Sequence, residues 1–282
     1  MVFEALTSPK GAEQHPLRLF FIGFIYAIIA VVFSLWIFRE YSSLIMVFLT
    51  VVVTIPLMYS TFIYEEKRDF TEDTEELGLL EEHGKAISFL TFLFLGILVA
   101  FSLCYIFLPF DLVNMMFDAQ IATIKSINAD ASSIHYGYTV FLDIFFNNIR
   151  VLLFCLLFSF FYGAGAIFIL TWNASVISVA IGSFVRNRLA DFVSASFPGV
   201  FGYFHLFSIG IMRYMTHGVF EIVAYFIGAL GGGILSAAII NKDIETNKFN
   251  KIMIDVVTLV LVAIVILIFA AFIEVYITPI LF

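Results

Sequence analysis

Long uncharged runs alternate with short polar breaks along this chain. A helix needs about 20 apolar residues to cross about 30 Å of hydrocarbon, and most of these runs reach that length. Span one is predicted from about Leu17 to Phe38 and span two from about Ser43 to Ile63. A charged stretch covers Glu65 to Lys85. Span three runs from Ala86 to about Leu108, where Pro109 ends it by removing a donor and crowding the preceding turn. A mixed loop follows from Phe110 to Tyr138. Val151 to Val185 then carries no charge, and at about 1.5 Å per residue it is too long for one crossing. It reads as the end of span four, which starts near Thr139, and all of span five. The reversal between them falls at Gly163-Ala-Gly165 or at Trp172-Asn173, and the pattern leaves both open.

The segment from Pro198 to Met212 is apolar but short and contains glycines, which suits a re-entrant or interfacial piece better than a full crossing. Whether it crosses is not fixed by the pattern. Span six covers Met215 to Ile240 and span seven Ile252 to about Ile277. The expected fold is therefore all-α: a multi-pass helical membrane protein with about seven transmembrane helices plus one re-entrant or interfacial segment. It divides into an N-terminal two-span hairpin over residues 1–64, an acidic cytoplasmic connector over 65–85 and a membrane domain over 86–282. No run alternates like a membrane barrel strand.

Composition agrees with lipid as the solvent. Hydrophobic residues make up 62% of the chain and charged residues 13%, against about 45–50% and about 25% in soluble domains. Basic residues then suggest the orientation. With the N-terminus inside, Lys10, Arg18, Lys67, Arg68, Lys85, Lys242, Lys248 and Lys251 are inner, while Arg39, Lys125, Arg186, Arg188 and Arg213 are outer. That bias places the N-terminus in the cytoplasm and the C-terminus outside the cell membrane. Span one is too long for a signal-peptide core and no small-residue cleavage site follows it. Cys104 and Cys155 lie in apolar runs and read as small buried hydrophobes. Asn173-Ala-Ser175 matches a glycosylation acceptor by letter, but it lies within the membrane run.

The net charge of −8 is concentrated in one place. Between Glu65 and Lys85, nine acids (Glu65, Glu66, Asp69, Glu72, Asp73, Glu75, Glu76, Glu81 and Glu82) face Lys67, Arg68 and Lys85. Such a surface repels nucleic acid and anionic headgroups. It reads first as a solvated connector and second as a dock for a basic soluble partner.

Two polar stripes interrupt the spans. On span four, Asp143, Asn147 and Arg150 stand at i, i+4 and i+7, with Asn148 adjacent. On span six, Arg213, His217 and Glu221 are spaced one helical turn apart, with Thr216 as an expected N-cap. Charges inside a membrane need partners, and they mark functional sites by default. The expectation is one buried cluster in which Arg150, His217 and Glu221 meet, Asn147 bonds at the rim, and Asp143, Asn148, Asn173 and Arg213 belong to the same polar set. It serves either as a polar cavity or ion path, or as a structural lock between helices.

A metal reading is weaker. His217 and Glu221 at i, i+4 offer two ligands, but His205, His135 and Asp143 give no third at a metal spacing. No metal and no cofactor are expected. There is no Gly-x-Ser-x-Gly elbow, phosphate loop or His-Glu-x-x-His pair, so no enzymatic activity is expected either. Gly228, Gly232 and Ser236 form a small-residue stripe for close helix packing, and Gly163 and Gly165 serve packing or the turn.

Asn147-Asn148-x-Arg150, Gly163-x-Gly165, Trp172-Asn173-Ala, Gly182, His217-Gly218-x-x-Glu221 and the run Gly228 to Gly233 follow in an order that resembles the stage II sporulation protein M family. The likeness spans Ala86 to Phe282, and the first two spans look like the extra N-terminal part of longer, archaeal-looking relatives. The resemblance implies a helical membrane protein that acts as a partner. In spore-forming bacteria the family is associated with engulfment, where it recruits and holds peptidoglycan-remodelling enzymes. This chain has no hydrolase domain. Two function classes are expected: a non-enzymatic scaffold or complex subunit, or a transporter or channel component using the polar cluster. The expected partners are membrane lipids, further copies or other membrane subunits, and no nucleic acid.

Overall fold

The computed structural model describes residues 16–71, 79–131, 137–159, 164–194, 200–240 and 248–282. Helix α1 spans Pro16–Ile37, and a single 3-10 turn, Arg39–Tyr41, leads into α2, Ser42–Thr71. Then come α3 (Leu79–Phe107), the short α4 (Phe110–Met116), α5 (Asp118–Ala131) and α6 (Gly137–Phe158). The chain continues with α7 (Ala164–Ser194), α8 (Val200–Ile240) and α9 (Lys248–Phe272). A π-helical turn, Ile273–Ile277, joins α9 to a last helical turn, α10 (Thr278–Leu281). Seven of the described helices are long and apolar enough to cross a membrane, and the described residues contain no strand.

The packing is built on glycine contacts. A Cβ on Gly23 would overlap the Leu93 carbonyl oxygen, and one on Gly96 would overlap that of Phe20. Here α1 and α3 touch backbone to backbone, which is how helices gain dispersion contact in a solvent as apolar as their side chains. On its other side α3 meets α7, where Gly182 leaves room for the Tyr105 ring. Helix α8 is the most enclosed span and α6 the least. Between the helices lies one continuous core that includes Phe101, Phe117 and Phe226. Several buried hydroxyls bond along their own helices: Ser34 to the Val31 carbonyl at 2.9 Å, Thr50 to Met46 at 2.7 Å, Ser102 to Leu98 at 2.8 Å. That satisfies them without water or a partner helix.

Several boundaries differ from the sequence expectation. Both ends of the acidic connector are helical, as the last turns of α2 and the first of α3, while residues 72–78 lie outside the described residues. The mixed loop after span three is mostly helix. Val113, Met116 and Phe117 are buried there, and Gln120 Nε2 donates to the Ser43 carbonyl at 3.1 Å, so α4 and α5 cover the start of α2. Helix α6 ends at Phe158 and α7 begins at Ala164, so Trp172 and Asn173, the second of the two alternatives, sit inside α7. Gly163 lies outside the described residues, as do Lys10, His135, Pro198 and Lys242.

The segment expected to be re-entrant or interfacial is helical from Val200 and runs unbroken into span six. Helix α8 has 41 residues, about 61 Å at 1.5 Å per residue and twice the hydrocarbon thickness. Its first turns are held by a small separate core of Ile106, Val185 and Leu206. Apolar composition could not reveal this extension, because it packs against the end of α7 through Val185 and Leu206. Thr216 is consequently not an N-cap. It lies four turns into α8, and its hydroxyl bonds back to the Met212 carbonyl at 2.5 Å.

The end of α3 is closed from α7. Arg186 donates to the Ile106 carbonyl at 3.2 and 3.3 Å and also to that of Leu108. Its guanidinium lies 5.5 Å from the centre of the Tyr105 ring, whose hydroxyl is 2.9 Å from Ser183 Oγ. A cation at a helix C-terminus satisfies carbonyls that have no intrahelical donor. The sequence pattern counted Arg186 only as an outer charge.

Candidate functional site

Four elements supply one polar cluster: α6, α8, the π turn after α9 and the first residue of α10. Asn148 is the buried polar residue of α6. Its Nδ2 donates to Glu221 Oε1 at 2.6 Å, and its Oδ1 accepts from the Tyr225 hydroxyl at 2.9 Å. The Asn148 amide thus bridges two residues one turn apart on α8. His217, one turn before Glu221, turns toward the chain's last helix. Its Nδ1 is 3.3 Å from Thr278 Oγ1, and its Nε2 is 3.9 Å from Glu274 Oε1.

The π turn explains why both α9-side groups reach His217. A five-residue hydrogen-bond step inserts one extra residue into the helical period and re-aims the side chains after it. The Thr278 backbone N–H and the Thr278 hydroxyl both bond to the Ile273 carbonyl, the latter at 3.2 Å. This holds Thr278 beside His217 while Glu274 faces the same ring. Among the described residues, no three of His, Cys, Asp and Glu converge as a metal-binding group.

The expected polar set separates into parts. Asn148, His217 and Glu221 come together. Asp143, Asn147 and Arg150 do not join them, and all three are exposed on the far side of α6. The reason is the helical period. At about 100° per residue, Arg150 lies about 200° around the helix from Asn148, and Asp143 lies within about 20° of Arg150. A helix that turns Asn148 inward must turn the charged pair outward. The partner expected for Glu221 was Arg150; the one it has is Asn148. Arg213 also stands apart, with its guanidinium 5.9 Å from the centre of the Phe184 ring on α7. Asn173 is half-buried on α7.

Tyr225, Glu274 and Thr278 complete the cluster; of the three only Glu274 was expected near it, as an alternative to Glu221 for pairing Arg150, and it faces His217 instead. Tyr225 was within reach of the pattern, since His217, Glu221 and Tyr225 continue the same i, i+4, i+8 stripe. Thr278 was not, because it lies beyond the expected end of span seven and depends on the π turn.

Below Tyr225, α8 itself carries no polar side chain until Ser236. Every residue of α8 from Phe226 to Ile234 is buried. The small-residue stripe lies on this stretch and faces α6: a Cβ on Gly228 would meet Leu152 Cδ1, and one on Gly232 would lie 2.5 Å from the Leu156 carbonyl oxygen and 2.8 Å from Ser159 Cβ. Ser236, next in the stripe, is also buried. The close contact of α6 and α8 therefore lies directly beneath the polar cluster, within one chain.

The family model of stage II sporulation protein M (SpoIIM) matches residues 85–279, more than half of the 282 residues. Helices α1 and α2 lie outside the matched range, and the polar cluster lies inside it. No curated protein and no solved structure matches the chain.

Proposed function

We propose that this chain, which belongs to the stage II sporulation protein M family, is a non-enzymatic membrane scaffold or complex subunit that holds partner proteins at the cell membrane. The observation that carries the reading is the internal pairing of the polar cluster together with the apolar stretch of α8 that follows it. Glu221 and Tyr225 both bond Asn148, and the next nine residues of α8 are buried against apolar and small neighbours. A transport path needs polar groups or water-lined space through the bilayer. A lock needs only complementary groups at one level. The cluster fits the lock: it fixes the rotation of α6, α8 and the end of α9, and so presents a defined outer surface. The basic-residue bias supports a cytoplasmic N-terminus and an extracytoplasmic C-terminus, and it puts the acidic connector on the cytoplasmic side.

The test has two arms. The purified chain in proteoliposomes should pass no ions or small solutes at any pH, and cross-linking in native membranes should recover the same protein partners repeatedly. Flux that is lost in Glu221→Gln would overturn the scaffold and establish the transporter reading.

A further inference from the structure

The outward face of α6 carries charge where lipid is expected. Asp143, Asn147 and Arg150 are exposed there, among the exposed apolar residues Phe146, Leu153 and Leu157. Helix α6 runs Gly137–Phe158, so Arg150 lies about 12 Å from the nearer end at 1.5 Å per residue. That is more than an arginine side chain can span to reach water. Its distance from Asp143 is about 10 Å along the axis, which leaves the two charges on one line but not in contact. Charged groups inside a membrane face protein or water and pair with an opposite charge. This stripe therefore belongs under another helix.

Charge complementarity decides which helix. A second copy enters the membrane in the same orientation, and a symmetric pairing through α6 would set Asp143 against Asp143 and Arg150 against Arg150. Other exposed span faces of a second copy are apolar: Leu44, Phe48 and Val52 on α2, and Val257, Leu261 and Val265 on α9. None of these residues answers either charge. Resting on the scaffold reading, we infer that the α6 face docks a transmembrane helix of a different protein. That helix carries one basic and one acidic residue seven positions apart, so that the basic residue meets Asp143 and the acidic one Arg150. Asn147, between them, bonds to either a donor or an acceptor, and Phe146, Leu153 and Leu157 pack against the apolar remainder.

The test uses the full chain in proteoliposomes with a photo-crosslinking amino acid at Phe146. The probes are synthetic leucine–alanine transmembrane peptides: one with Lys and Glu seven apart, one with the same two residues nine apart, on opposite faces, and one with neither. The first should form at least tenfold more adduct than the other two, and Asp143→Leu with Arg150→Leu should reduce it to their level. An unchanged thermal midpoint for that double variant shows that the loss is not one of folding. Equal adduct with all three peptides, adducts to lipid alone, or adducts between two copies of the chain would overturn the proposal. Native-membrane pull-downs separate it from the scaffold reading: partners retained by the double variant would sink the α6 dock and leave the scaffold standing.

Discussion

Asn148 and Arg150 are two residues apart on one helix and live in opposite surroundings. Asn148 is buried and bonds both Glu221 and Tyr225. Arg150 is exposed on the face that looks away from the bundle. The difference shows how a membrane helix assigns its polar groups. A neutral amide can be enclosed when both its donor and its acceptor are used, because nothing charged is left to desolvate. A guanidinium has donors only and keeps its charge, so enclosure requires an acceptor at the right height. Glu221 is already used by Asn148. The inner face of α6 is thus complete within the chain, and the outer face is the one we infer to take a partner helix.

The contact between α6 and α8 should be the most sensitive point of the comparison, because both faces depend on it. Gly232→Leu must push the Leu156 backbone away, and overpacking of this kind costs about 1–3 kcal/mol or more. Its thermal midpoint in detergent should fall furthest of any variant here. A melting profile like that of the parent chain would mean that the two helices do not meet at Gly232.

Asn148→Leu comes next. It leaves the Glu221 carboxyl without its donor and the Tyr225 hydroxyl without its acceptor, and should cost about 2 kcal/mol. Glu221→Leu alone should cost about 1 kcal/mol, and the double variant clearly less than the sum, with a coupling of about 1 kcal/mol in denaturation cycles. Additive losses would separate the residues. Tyr225→Phe should cost about 1 kcal/mol or less, since Asn148 keeps its bond to Glu221. A cost as large as that of Asn148→Leu would mean that the tyrosine, rather than the amide, organises the cluster.

The smallest expected effect is the sharpest contrast. Arg150→Leu in the isolated protein should change stability by less than about 0.5 kcal/mol, or raise it, as a substitution away from any internal partner does. The sequence stripe argued the reverse, that losing Arg150 would strand a carboxylate. A loss of several kcal/mol in detergent would restore that pairing and remove the outward face from consideration.

Much of the fold was legible from the chain. The apolar runs gave the spans, because backbone groups in lipid must bond internally and only a helix does so within one segment. Pro109 marked the end of α3, and Gly163-Ala-Gly165 was one of the two stated reversals. The small-residue stripe gave a close contact for α8, within the chain or between copies, and the structure sets it against α6. The Gly23–Gly96 region was not recognised, since single glycines in two distant spans form a pattern only once the spans are side by side. The site was half legible. His217, Glu221 and Asn148 were among the expected residues, but the stripe Asp143–Asn147–Arg150 drew attention to the wrong face of α6.

The sequence by itself determined the solvent, the helical class, the spans and the residue types of a polar cluster. These follow from local quantities: length, charge and periodicity. The rotation of each helix about its own axis was decided only by the tertiary structure. That rotation placed Asn148 rather than Arg150 against Glu221, and a π turn at Ile273–Ile277 brought Thr278 and Glu274 to His217. Periodicity shows which residues share a face. Which face turns inward depends on the neighbour that answers it, and that neighbour lies 73 positions along the chain.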